Sequence, residues 1–245
     1  VSITPTNLWL AGDAGTIVSY NGVQAPVVST LPTSADFYGL WSTSGAAVAV
    51  GSSGVLAKQS GASWNVSTLG AAGGRTLRAV YGTSVNNLWI VGDSGLILRF
   101  NGSTATAVTS GVSDTLHGII GSSASSLWAV GEHGRILRSD GNSWSVDVSG
   151  SAITTNALYA AAVKNDGTVY VVGDNGVLLR YSGQAWKALD SGTVAPLRAA
   201  RCSVLPMSPI EAPYNPSGMA SAGSFPITAR SRSRSMAARS KSSPS

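Results

Sequence analysis

NLWIVGDSGLILRFNG, residues 87–102, returns in close outline as SLWAVGEHGRILRSDG at 126–141. Three further copies share the outline: NLWLAGDAGTIVSYNG (7–22), AAVAVGSSGVLAKQSG (46–61) and TVYVVGDNGVLLRYSG (168–183). Their common glycines, Gly12, Gly51, Gly92, Gly131 and Gly173, stand 39, 41, 39 and 42 residues apart. A period of about forty residues marks a stacked structural unit, repeated because one copy cannot bury its own faces.

Each copy reads as strands. LWIVG and LILRF are β-branched and aliphatic runs of ordinary strand length. Between them lies G-D-x-G, and Asn-Gly, Asp-Gly or Ser-Gly follows the second run; these residues tolerate the positive φ of two-residue hairpin turns. A third strand comes next, as in SWSVDVS (143–149) and AWKALDS (185–191). One more apolar segment precedes each of the later copies: FYGLWS (37–42), TLRAVYG (76–82), TLHGIIG (115–121) and ALYAAAV (157–163). Four short antiparallel strands in one unit form a sheet with two faces to cover. Stacking the units around an axis covers both, which predicts an all-β fold, a β-propeller of four-stranded blades. A β-helix has shorter coils, and a sandwich has no reason to repeat its sequence.

The blades are expected at 36–75, 76–114, 115–156 and 157–195, after a partial blade at 1–35. PLRAA (196–200) repeats the opening of TLRAVYG and is expected to be a first strand. About five blades result, either an incomplete ring or one closed by sharing a blade between the termini. Beyond Ala200 the repeat stops. Residues 201–245 are rich in Ser, Pro, Ala and Arg, a composition that buries too little apolar surface to offset ordering, so a disordered tail is expected. So abrupt a change inside a blade also resembles a shift of reading frame.

The repeated phrase resembles the bacterial WD/YVTN/BNR-like propeller repeats and, more distantly, the photosystem II assembly-factor propellers. The resemblance covers about residues 1–200. It implies a secreted or cell-surface bacterial protein acting as a binding or interaction scaffold. The same superfamily holds lyases and sialidases, so a hydrolase or lyase with a site at the channel mouth is the alternative. The sialidase box S-x-D-x-G-x-T-W is only approximated by SDGNSW (139–144), which is one residue short.

The formal net charge is +5, but its location matters more than its size. Seven of the 16 basic residues lie at or beyond Arg198, and the body at 1–195 carries nine basic against ten acidic residues. A basic-surface argument for nucleic acid therefore fails for the body. RSRSRS (230–235) is the only nucleic-acid candidate, and no aromatic residues interleave with it to stack bases. Nucleic-acid binding through the tail stays a second alternative. A single cysteine, Cys202, excludes an internal disulfide and a cysteine-based metal cluster. No apolar run approaches the length of a membrane span.

Candidate chemistry is sparse. Asp13, Asp93, Glu132 and Asp174 recur in equivalent turns, where Asp bends the chain; the spread of the blades separates them too far to share one ion. AAGGR (71–75) lacks the Lys-Ser/Thr of a phosphate loop. No G-x-S-x-G elbow joins a strand to a helix. His133 occupies a variable turn position and is expected in solvent. Trp9, Trp89 and Trp128, and a second set Trp64, Trp144 and Trp186, are expected to pack between blades. The candidates for ligand contact are the first-strand residues Tyr38, Arg78, His117, Tyr159 and Arg198. All are large and polar-tipped, each is followed by Gly or Ala, and together they would ring a channel mouth. No catalytic or metal-binding set and no cofactor is expected; the expected partner of this monomer is a protein or carbohydrate.

Overall fold

The computed structural model describes residues 8–43 and 46–202; the tail expected at 201–245 lies outside the described residues from 203 onward. Five antiparallel sheets follow one another along the chain. The first has three strands, β1 (Leu8–Ala11), β2 (Thr16–Tyr20) and β3 (Val27–Thr30). The second has β4 (Phe37–Thr43), β5 (Ala46–Gly51), β6 (Val55–Ser60) and β7 (Ser63–Thr68). The third runs β8 (Leu77–Ser84), β9 (Asn87–Gly92), β10 (Ile97–Phe100) and β11 (Ala105–Ala107). The fourth has β12 (Leu116–Ser123), β13 (Ser126–Gly131), β14 (Ile136–Ser139) and β15 (Trp144–Val146). A helical turn, α1 (Val148–Ser151), leads to β16 (Leu158–Val163), β17 (Val169–Gly173), β18 (Leu178–Tyr181) and β19 (Trp186–Leu189). Among the described residues no helix is long and apolar enough to cross a membrane.

The G-D-x-G turn does what its composition predicts. Residue x and the glycine after it both take positive φ, as at Ser94 (53°) and Gly95 (66°), and Leu96 N–H donates to Asp93 O at 3.1 Å. Two consecutive left-handed residues make the tight hairpin whose twist suits the flanking strands. The glycine that opens the motif is there for space. A Cβ on Gly51, Gly92, Gly131 or Gly173 would run into the backbone carbonyl just before the first strand of the same sheet.

Successive blades pack face to face by one repeated rule. Trp89, Val91 and Ile97 of the third blade bury against Leu127, Ala129 and Leu137 of the fourth. Trp128, Val130 and Ile136 of the fourth then bury against Val169, Val171 and Leu179 of the fifth. Tryptophans pack between blades as expected: Trp9 meets Trp64 edge-on at 5.4 Å, and Trp89 meets Trp144 at 5.6 Å. Such edge-on aromatic pairs contribute beyond their buried area.

Two expectations need correction. SWSVDVS does not stay extended to its end: Asp147 accepts the Gly150 N–H at 3.0 Å and caps α1, turning the chain after Val146. Residues 196–200 form no strand. Leu197 does begin as a first strand should. Its N–H donates to Gly173 O at 2.9 Å, as Phe37 N–H donates to Gly12 O at 3.0 Å.

Asp147 also ties two blades together, accepting the Trp186 indole N–H at 2.9 Å. Burial pushes its pKa up, but hydrogen bonds from Ser149, Trp186 and Gly150 outweigh this and hold it below the ordinary carboxylate value. A lowered carboxylate pKa stabilises the fold above the unfolded pKa and loses that stabilisation as pH falls through the folded one. Asp147→Ala should cost about 2 kcal/mol at neutral pH, combining a lost cap with an orphaned indole N–H. Urea unfolding should show that gap to wild type narrowing below about pH 4.

Candidate functional site

In each of the four complete blades the first strand pairs out of step by one residue at the same point. Leu77 lies opposite Gly92 and Ala79 opposite Val91, so Arg78 has no partner in the ladder. The same slip leaves out Tyr38 between Phe37 and Gly39, His117 between Leu116 and Gly118, and Tyr159 between Leu158 and Ala160. A β-bulge of this kind frees a side chain from the sheet and re-aims it. The small residue that follows has its own cause. A Cβ on Gly39 would crowd Ala79 of the next blade, and one on Gly118 would crowd Tyr159 and Ala160.

Freed in this way, Tyr38, Arg78, His117 and Tyr159 lie along neighbouring first strands, and Arg198, which is in no strand, meets the last of them. The Arg78 guanidinium lies over the Tyr38 ring at 5.7 Å, and the Arg198 guanidinium over the Tyr159 ring at 4.6 Å. His117 and Tyr159 have ring centroids 5.3 Å apart. The row is continuous from His117 through Tyr159 to Arg198, and Tyr38 with Arg78 forms a second pair.

The repeated acids belong to this site as well, which reading them as turn formers alone overlooks. Arg78 Nε donates to Asp93 Oδ1 at 2.6 Å, and Tyr159 OH donates to Asp174 Oδ2 at 2.9 Å. His117 Nε2 stands 4.0 Å from Glu132 Oε1. Because the glycine before each acid pairs with the residue before the bulge, acid and freed side chain of one blade are brought side by side. The sequence signal was available: three blades couple an acid after the glycine with a polar first-strand residue. Blade two has Ser52 there, whose hydroxyl accepts the Asp36 N–H at 3.0 Å, and Tyr38 gains no carboxylate. Asp13 has no first-strand residue beside it among the described residues.

Electrostatics separates the members of the row. Burial, then the nearby Arg78 charge, lowers the His117 pKa, and the attractions of Glu132, Asp93 and Asp174 do not restore it. His117 is therefore neutral at pH 7 and can donate from one ring nitrogen while accepting at the other. Arg78 is neutralised by Asp93, whereas Arg198 has no carboxylate within ion-pair distance among the described residues. Among the described residues no three His, Cys, Asp or Glu side chains converge as a metal site would require.

His133 is exposed, as expected, but it is not free. Its Nδ1 lies 2.8 Å from Asp114 Oδ1, and Arg135 Nε donates to Asp114 Oδ2 at 2.8 Å. Burial raises the Asp114 pKa, yet the His133 and Arg135 hydrogen bonds outweigh it and the net shift is downward. Beside this cluster opens a hollow of about 700 Å³ between blades three and four, bordered by Arg75, Ser110, Asp114 and Arg135.

No family model matches the chain, and no curated protein sequence does. Solved structures do resemble it. The WD40 domain of Doa1 is 10% identical over 79% of this chain and 68% of its own, with a TM-score of 0.66. Virginiamycin B lyase from Staphylococcus aureus is 15% identical over 75% and 66%, with a TM-score of 0.62. YCF48 from Cyanidioschyzon merolae is 17% identical over 74% and 67%, with a TM-score of 0.58. The fold is that of a β-propeller. The propeller blades of this chain span about two thirds of the length of those structures. At such identities the likeness carries the architecture, and the chemistry of the row has to be argued from its own residues.

Proposed function

We propose that the chain is a non-catalytic interaction scaffold that binds an extended peptide of a protein partner along the row Tyr38, Arg78, His117, Tyr159 and Arg198. The observation that carries this reading is the bulge, repeated in all four complete blades, that takes one large polar-tipped side chain out of each ladder. The row sets the Arg78 and Arg198 guanidiniums beside the Tyr38, His117 and Tyr159 rings on neighbouring blades, a spread of groups that suits a chain of peptide groups better than one compact molecule. Arg198 supplies a cation for a carboxylate, and Tyr159 and His117 supply faces for packing and neutral hydrogen bonds. The secreted or surface location implied by the repeat resemblance is part of the same proposal.

The rival lyase or hydrolase reading would use His117 with Glu132. Their 4.0 Å separation exceeds a hydrogen bond, and Glu132 accepts the Thr115 N–H instead, at 3.3 Å. The test is an array of short peptides with free C-terminal carboxylates, probed with wild type and with the double variant Arg78→Ala/His117→Ala. Hot-spot residues of this kind carry about 2 kcal/mol or more, so the double variant should lose about 30-fold in affinity for peptides captured by wild type. Arg198→Ala should remove the preference for a free carboxylate. Equal capture by all three proteins would overturn the proposal.

A further inference from the structure

The connections that lead from one complete blade to the next differ at a single interface. In blade two a helical turn at Gly70–Ala72 packs on β11 of blade three. In blade four α1 lies so close to blade five that a Cβ on Gly150 would crowd the Trp186 indole. The connection out of blade three forms no helical turn. From Val108 to Leu116 it takes eight positions, against eleven from Asp147 to Leu158. The hollow of about 700 Å³ opens beside that short connection, with Val108, Val112 and Val146 on its wall.

Two equivalences in the repeat define what faces this space. Val108 and Asp147 hold the same place: the N–H of each continues the ladder after a fourth strand, donating to Ile97 O and to Ile136 O, both at 2.9 Å. Trp144 and Trp186 also correspond, lying opposite Ser139 and Tyr181. The Trp186 indole N–H donates to Asp147 Oδ2 at 2.9 Å. Trp144 meets Val108 where Trp186 meets Asp147, and its Nε1 is buried without a hydrogen-bond partner. A buried donor left in this way costs stability until an acceptor reaches it. Arg75, on the rim of the hollow, gives its Nε–H to Ala72 O at 2.8 Å and has no carboxylate within ion-pair distance among the described residues.

We propose that this hollow binds a carboxylate on a short apolar stem, which accepts the Trp144 N–H and faces the Arg75 guanidinium. The Asp147 side chain is the pattern for such a ligand, since it makes the same bond one interface later. The three valines suit the stem, and a few convergent polar groups suit the head. Burial opposes ionisation of Asp114, also on the wall, but its bonds from His133 and Arg135 prevail and keep it charged at neutral pH. A doubly charged phosphate would face that carboxylate, so a singly charged acid is favoured. The site shares no residue with the first-strand row and stands independently of it.

Proton–nitrogen correlation spectra of the full chain test this, because each of the seven tryptophans gives one indole N–H signal. Trp144→Phe assigns the signal in question. The probes are butyrate, N-acetylaspartyl methylamide and inorganic phosphate. A ligand of this size should bind with a Kd of about 1 mM, so about 10 mM nearly saturates the site. The Trp144 signal should move downfield with a carboxylate probe, while the Trp186 signal, whose acceptor is already present, stays in place. Arg75→Ala should weaken the response about tenfold, and an unmoved Trp186 signal in that variant shows that the fold is kept. Val108→Asp copies Asp147 into blade three, so it should move the Trp144 signal with no probe added and abolish the response. Tighter binding of the blocked aspartate assigns the carboxylate to a peptide side chain and tighter binding of butyrate to a free small acid; either supports the site. A Trp144 signal that neither carboxylate moves, that phosphate moves as far, or that responds equally in wild type and Arg75→Ala would overturn the inference.

Discussion

Gly134→Ala should destabilise the protein by about 4 kcal/mol or more, enough to unfold most marginally stable domains. Two independent effects act at this glycine. Its φ is +68°, the left-handed region in which a Cβ costs about 1–2 kcal/mol. The added Cβ would also run into the carbonyl of Thr154, in the connection leading to blade five. That obstacle is backbone held by the next blade, so it cannot rotate away as a side-chain end would. Gly61→Ala separates the two effects, because φ there is +61° and a Cβ would meet nothing within 4 Å. It should lose only about 1–2 kcal/mol. Urea unfolding of both variants measures the difference directly.

Leu88→Ala should cost about 2–5 kcal/mol, and Leu8→Ala less than about 0.5 kcal/mol, although the two leucines hold the same place in the repeat. Leu88 is sealed between blades two and three among Val48, Val50, Leu56 and Leu98, where a deleted side chain leaves a cavity. Leu8 has no blade against its face among the described residues and leaves none. Thermal or urea unfolding of both variants checks the contrast. Equal losses would mean that the face of blade one is covered.

These paired variants indicate why so much of the architecture could be read in advance. A residue that recurs every forty or so positions recurs because the same neighbour does, so Gly92, Trp89 and Leu88 disclose strand, turn and core together. The row was legible for the same reason in reverse. Tyr38, Arg78, His117 and Tyr159 hold one position with dissimilar side chains, which marks a place freed from common packing. The bulge itself was not legible, because it lies in how two strands pair and no residue type announces it. For that reason Asp93, Glu132 and Asp174 read as turn formers, and their contact with the row emerges only once Gly92 is seen opposite Leu77. The His133–Asp114 contact was hidden too, since it joins two loops 19 residues apart that the repeat does not constrain. At residues 196–200 local pattern promised a strand, but a strand also needs a partner edge. Blade five already has its four strands, and the pattern alone is not enough.

The repeated face-to-face rule has a consequence for how such a chain can change over generations. Each blade meets its neighbours through surfaces set by its own forty or so residues, and stability in such arrays is a sum of unit and nearest-neighbour terms. Duplicating or deleting one unit therefore leaves every remaining junction chemically unchanged. Length becomes a quantity that recombination can adjust in whole steps, while the bulged position within each step is free to vary its side chain. A lineage could lengthen its binding row by one residue type at a time without redesigning the core that carries it.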